Sequence, residues 1–147
     1  MKLKKTKRIP RGLRNCNPLN IRKSDDNWVG QCGHDGTFVK FKELRYGIRA
    51  AFRLLYTYNY RYRCTTVKDI VSRWAPESEN DTMAYIKRVC DYAGFSPDET
   101  INVHYTSQRE QACKLVAAMA NVELGGDYLS SSIIHEAYDM AFKLNHL

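Results

Sequence analysis

Apolar residues recur along most of this chain at helical spacing, and one short segment follows a strand pattern instead. Ile48, Ala51, Phe52 and Leu55 stand at i, i+3, i+4 and i+7, which predicts a helix over residues 47–60. Val67, Ile70, Val71 and Trp74 repeat the spacing in a shorter helix, with Thr66 as its cap and Pro76 as its stop. Ile86, Val89, Cys90 and Ala93 form the next stripe, capped by Asn80 or Asp81 and ended at Gly94, where a left-handed residue is expected. Ser107-Gln-Arg-Glu110 reads as a capping box that opens a helix to about residue 124, stopped by Gly125-Gly126. Ser131 or Ser132 caps a last helix carrying Ile133, Ala137, Met140, Ala141 and Leu144.

Residues 28–32 and 37–41 form the strands of a hairpin around His34-Asp35-Gly36, since Asp-Gly is a favoured hairpin pair. Residues 11–27, rich in Asn and Arg, read as an ordered loop, and residues 1–10 as a flexible basic tail. Two strands cannot supply a sheet core, so about five helices must bury one another. The expected fold is mainly α with a small β-hairpin, in a single domain over residues 11–147.

One residue breaks the apolar pattern. Ala112, Leu115, Val116 and Met119 make the stripe of the helix over 108–124, and at 100° per residue Glu123 falls on the centre of that stripe. It also lies in the last turn, where the helix dipole disfavours negative charge. Burial favours the protonated form of a carboxylic acid, and a proton donor is what cleavage of a glycosidic bond requires. The competing reading is a glutamate that curls out to water or pairs with an arginine.

Charge narrows the partners. The 147 residues carry a net charge of +7, with 16 Lys or Arg against 4 Asp or Glu in residues 1–63, and 7 against 12 in the rest. A basic half suits a polyanion: nucleic acid, an anionic membrane surface or a bacterial wall. The basic start, Met1 to Arg8, leads into no apolar run and does not read as a signal peptide. No stretch reaches the roughly 18 apolar residues of a membrane span. The chain is therefore expected to be made and kept in the cytoplasm unless something else exports it. Cys16, Cys32, Cys64, Cys90 and Cys113 are odd in number and lack a CxxC spacing, so reduced thiols are expected, with Cys113 a core residue rather than a nucleophile. His34, His104, His135 and His146 are scattered without metal-ligand spacing, so no metal and no cofactor are expected.

Arg11, Arg14 and Arg22 with Asn15, Asn17 and Asn20 make a donor-rich loop suited to sugar hydroxyls, acetamido groups or phosphates, unless the asparagines hold the loop's own backbone. Glu77-Ser-Glu79-Asn-Asp81 is an acidic cluster that either caps a helix or supplies a second carboxylate.

Four blocks then carry a resemblance: Arg11-Gly-Leu-Arg-Asn-Cys-Asn-Pro-Leu-Asn-Ile-Arg22, Trp28-Val-Gly30, Phe38-Val-Lys-Phe41 and Tyr46-Gly-Ile-Arg-Ala50. With Arg73-Trp-Ala-Pro76, Glu79-Asn-Asp-Thr82 and Tyr85-Ile86, they resemble lysozyme-like proteins of phages and prophages, often labelled only as virion or structural proteins. More distantly, the chain is similar to glucosaminidase-type and lytic transglycosylase wall hydrolases. In the glucosaminidase type the catalytic glutamate lies in a helix before the Asn-rich segment. Here the helix ending at Met119-Ala-Asn-Val-Glu123-Leu-Gly125 resembles that helix moved to the other end, as in a circular permutation.

The resemblance implies a lysozyme-like fold and cleavage of peptidoglycan between N-acetylmuramic acid and N-acetylglucosamine. Glu123 is then the acid, and Glu79 or Asp81 is a candidate second acid. A second carboxylate roughly 5–9 Å away would support hydrolysis; without one, the muramic 6-hydroxyl attacks internally, as in a lytic transglycosylase. Asn15, Asn17, Asn20, Trp28, Asn80 and Tyr85 are the expected sugar-binding residues. The expected partners are glycan strands, with phage virion or export machinery as candidates. The alternative is a non-catalytic phage structural or cell-wall-binding module on the same fold. A nucleic-acid binder is disfavoured because no reader motif is present.

Overall fold

The computed structural model describes residues 8–143. Residues 1–7 of the expected tail, together with Leu144 and His146, lie outside them. Six α-helices and one antiparallel hairpin make up the described chain: α1 Arg11–Arg14, β1 Gln31–His34, β2 Val39–Phe41, α2 Leu44–Tyr62, α3 Val67–Trp74, α4 Thr82–Ala93, α5 Arg109–Leu124 and α6 Ser131–Phe142. One continuous apolar core runs from Leu19 to Ala141.

α5 is the centre of that core. Ala112, Cys113, Leu115, Val116, Ala118, Met119, Ala120 and Leu124 are all buried, so the helix is enclosed on more sides than a single stripe implies. α4, α6, α1 and α2 pack around it. The capping box is not formed. Gln108 instead accepts from the Asn102 N–H and donates to the Thr100 carbonyl, Thr106–Gln108 forms a 3-10 turn, and Glu110 bonds His135. The other caps are Thr66, Asp81 and, one residue earlier than expected, Ser130.

The hairpin starts later than the pattern predicted. Gln31 pairs with Phe41 and His34 with Val39, with a bulge between Gln31 and Gly33. Trp28 falls outside the strand because residues 28–31 close a turn: the Gln31 N–H donates to the Trp28 carbonyl, and Gly30 is left-handed.

The segment expected as a loop opens with the one-turn helix α1. It continues beside β2, where the Val39 N–H donates to Ile21 and the Lys23 N–H to Thr37. Asn17, fully buried, fastens this arrangement. Its amide nitrogen donates to the Ile21 and Val39 carbonyls and its oxygen accepts from the Ile21 N–H. Two glycines allow the segment to press on the helices. A Cβ at Gly12 would crowd Leu124 of α5, and one at Gly47 of α2 would collide with the Cys16 carbonyl.

Asp35 ties the hairpin turn to α1. Its carboxylate accepts from Arg11 Nε at 2.6 Å and from Asn15 Nδ2 at 3.0 Å, and it caps the N–H groups of Thr37 and Phe38. The Arg11 guanidinium, with these further donors, holds this carboxyl well below the usual carboxylate range. A depressed folded-state value means the stabilisation is complete above the unfolded value of about 3.9 and is lost as pH falls through the folded one. Melting curves between pH 5 and 2.5 should therefore fall more steeply for the wild type than for Asp35→Asn. Parallel curves would show that this cluster does not matter to stability.

Candidate functional site

Glu123 stands in the last turn of α5, which Gly125 ends in the left-handed conformation at φ 73°. Both of its carboxylate oxygens are held by neutral donors. Asn20 Nδ2 donates to Oε1 at 2.9 Å, and the Tyr85 hydroxyl donates to Oε2 at 2.9 Å. No ion pair reaches Glu123 among the described residues. These two bonds offset the unfavourable end of the helix dipole.

The two donors come from opposite sides. Asn20 is left-handed (φ 55°), a conformation asparagine tolerates, and this aims its amide at the end of α5. Tyr85 lies on α4 and is buried. Burial and the neighbouring Glu123 carboxylate push its phenol well above the ordinary tyrosine value, so it remains a donor at every physiological pH. Its hydroxyl also lies 3.5 Å from the Met119 carbonyl, an alternative acceptor.

Glu123 and Asn20 open into a groove of about 410 Å³. Its walls carry aromatic rings from Trp28, Phe38, Tyr58 and Trp74, with polar groups from Arg22, Ser24, Asp26, Glu79 and Asn80. Flat rings beside hydrogen-bonding groups are the surface a sugar chain needs, since each pyranose has apolar faces and a hydroxylated rim.

The residues singled out in the sequence divide on this geometry. Glu123, Asn20, Trp28, Asn80 and Glu79 line the groove together. Asp81 does not; its side chain caps α4 by accepting from the Ala84 N–H. Asn17 spends its amide on backbone, and Asn15 is buried with its amide on Asp35, so both hold the loop rather than face the groove. Tyr85 is not on the groove wall; its hydroxyl donates to Glu123. Gly125 and Gly126 terminate the helix and lie outside the groove wall.

Asp26, Tyr58 and Trp74 are groove residues that sequence patterns did not single out as such. Trp74 carried a core stripe and a motif, Tyr58 lay within a helix, and Asp26 sat in a polar loop two residues from Trp28. Only proximity to Trp28 hinted at Asp26.

All five cysteines are free, and burial pushes the Cys113 thiol up to about 12, so it keeps its proton and is a core residue. Among the described residues no group of His, Cys, Asp or Glu is arranged to hold a metal ion, and no helix is long and apolar enough to cross a membrane.

No protein-family model matches the chain. It is 36% identical over 137 residues to "Protein P5" of Pseudoalteromonas phage PM2, an alignment spanning 90% of this chain and 82% of that protein. The chain belongs to the same family as this phage protein.

Proposed function

We propose that this member of the phage Protein P5 family is a lysozyme-like enzyme that cleaves peptidoglycan glycan strands, with Glu123 as the proton donor to the glycosidic oxygen. The observation that carries the reading is a carboxyl group without a cationic partner among the described residues, oriented by Asn20 and Tyr85 on the wall of an aromatic-lined groove. The lysozyme-like motifs of the sequence support it independently.

The surroundings of Glu123 suit a group that changes protonation during a cycle. A carboxylate has about four lone-pair sites, so two donors leave a site for the proton that the substrate oxygen receives. When Glu123 carries a proton, the Tyr85 hydroxyl has the Met119 carbonyl to turn to. The Asn20 amide can turn over and present its oxygen. That oxygen is buried and has no partner among the described residues in the present orientation. Both neighbours thus serve the acid and its conjugate base, as acid–base catalysis requires.

Asp26 and Glu79 are the other carboxylates on the groove wall. In a hydrolytic route one of them activates water or stabilises the developing positive charge at the anomeric carbon. In the transglycosylase route the muramic 6-hydroxyl attacks that carbon, Glu123 having first protonated the leaving oxygen and then taking the hydroxyl proton. Asp26 and Glu79 are both exposed whereas Glu123 is not, which favours the one-carboxylate route.

Purified protein incubated with sacculi of several wall types, followed by mass spectrometry of the soluble products, tests the reading. Anhydro-muramyl ends are expected. Reducing ends would assign the hydrolytic route. Absence of both with folded protein would favour the alternative of a non-catalytic wall-binding or virion module.

A further inference from the structure

The Glu123 groove has a neighbour. Asp26, Trp28, Leu54 and Tyr58 line it and also line a second, larger depression of about 970 Å³, so the two adjoin along these four residues. The second depression is also lined by Arg61 and Arg63 from the end of α2 and by Arg73 from α3. None of the three has an ion-pair partner among the described residues. Arg73 lies with its guanidinium carbon 3.4 Å from the centroid of the Tyr62 ring. Stacking uses the face of the guanidinium and leaves its edge N–H groups for a ligand. Two carboxylates share the depression. Asp69 sits in the first turn of α3, where the helix end favours it, and Asp26 is bonded to Ser24 at the junction.

We infer that this arginine-walled extension binds the carboxylates of the peptide stems of peptidoglycan, so that the protein selects stem-bearing strands over bare glycan. The inference rests on the proposed glycan-cleaving function. A strand threaded past Glu123 carries a peptide on every muramic acid, and each stem must leave the sugar groove sideways. Its side-chain and terminal carboxylates then need a cationic wall beside the aromatic floor. Planar guanidinium groups suit carboxylates because their paired N–H bonds match two oxygens at once. Arginines with no ion-pair partner among the described residues, in a depression that shares four lining residues with the sugar groove, favour this ligand over a nucleic acid, which would need no such adjacency.

Binding and cleavage separate the two claims. Affinity is measured for glycan strands with intact stems and for the same strands stripped by an amidase and then amidated at the lactyl carboxylates this cleavage leaves, at low and high salt. Intact strands should bind about tenfold tighter, and salt should erode that preference because exposed charges are screened. Arg61→Gln with Arg63→Gln should reduce the preference severalfold. Neither side chain makes a hydrogen bond or ion pair among the described residues, so the variant should melt like the wild type. Equal affinity for intact and stripped strands overturns the inference, as does tighter binding of a DNA oligonucleotide than of intact strands. Cleavage judges the other claim: stem-selective binding without turnover would sink the proposed catalysis and leave the stem site standing.

Discussion

Replacing Glu123 by glutamine should lower glycan-strand cleavage by on the order of 10²-fold or more while leaving the protein folded. The amide keeps the shape of the acid but cannot deliver a proton. Its oxygen can still accept from Tyr85 or Asn20, so the positions of α4, α5 and the loop at residues 15–22 should hold. Stability should stay the same or rise slightly, because a neutral group no longer opposes the negative end of α5. Unchanged turnover would remove Glu123 from the chemistry. A large drop in melting temperature would instead make it a structural residue.

The second large effect is expected at a residue that does not line the groove. Gly47→Ala would ordinarily stabilise a helix by about 1 kcal/mol. Here the added Cβ meets the Cys16 carbonyl, a backbone atom that cannot rotate away as a side chain would. Overpacking of this kind costs about 1–3 kcal/mol, and more when backbone must shift. The clash should therefore win, with a net loss near 2 kcal/mol and a melting temperature roughly 6 °C lower. Cleavage should fall as well, since the loop that moves with Cys16 also carries Asn20. A melting temperature equal to or above that of wild type would show that α2 and the loop are less tightly apposed than they stand.

The contrast between these residues marks what the sequence could carry. Glu123 was legible because helical periodicity is local: four apolar neighbours on one face expose an acid that does not belong. The five longer helices were legible for the same reason, as was the cap Thr66 and, as one of two candidates, the cap Asp81, whose partners lie within three residues. The capping box at Ser107 failed because Gln108 finds Asn102 and Thr100, a preference set by how that turn packs rather than by spacing.

Within the Asn-rich loop all three asparagines looked alike. Which one faces Glu123 depends on the left-handed backbone at Asn20 and on Asn17 being sealed between Ile21 and Val39. Tyr85 was singled out as a sugar-binding residue, but its hydrogen bond to Glu123 was not legible, because the approach of α4 to α5 is a tertiary fact. Tyr58, Trp74 and Asp26 come from three separated segments, and nothing local in the chain announces that they share a wall.

The same Glu123→Gln variant, with turnover stopped, permits the most direct measurement of whether this groove is where a glycan strand is cut: a crystal structure with a bound strand fragment. The strand should lie along Trp28 and Trp74 with a glycosidic oxygen about 3 Å from the substituted side-chain amide, within hydrogen-bond reach. A strand seated on another face of the protein, or crossing the groove with every glycosidic oxygen beyond reach of that amide, would contradict it.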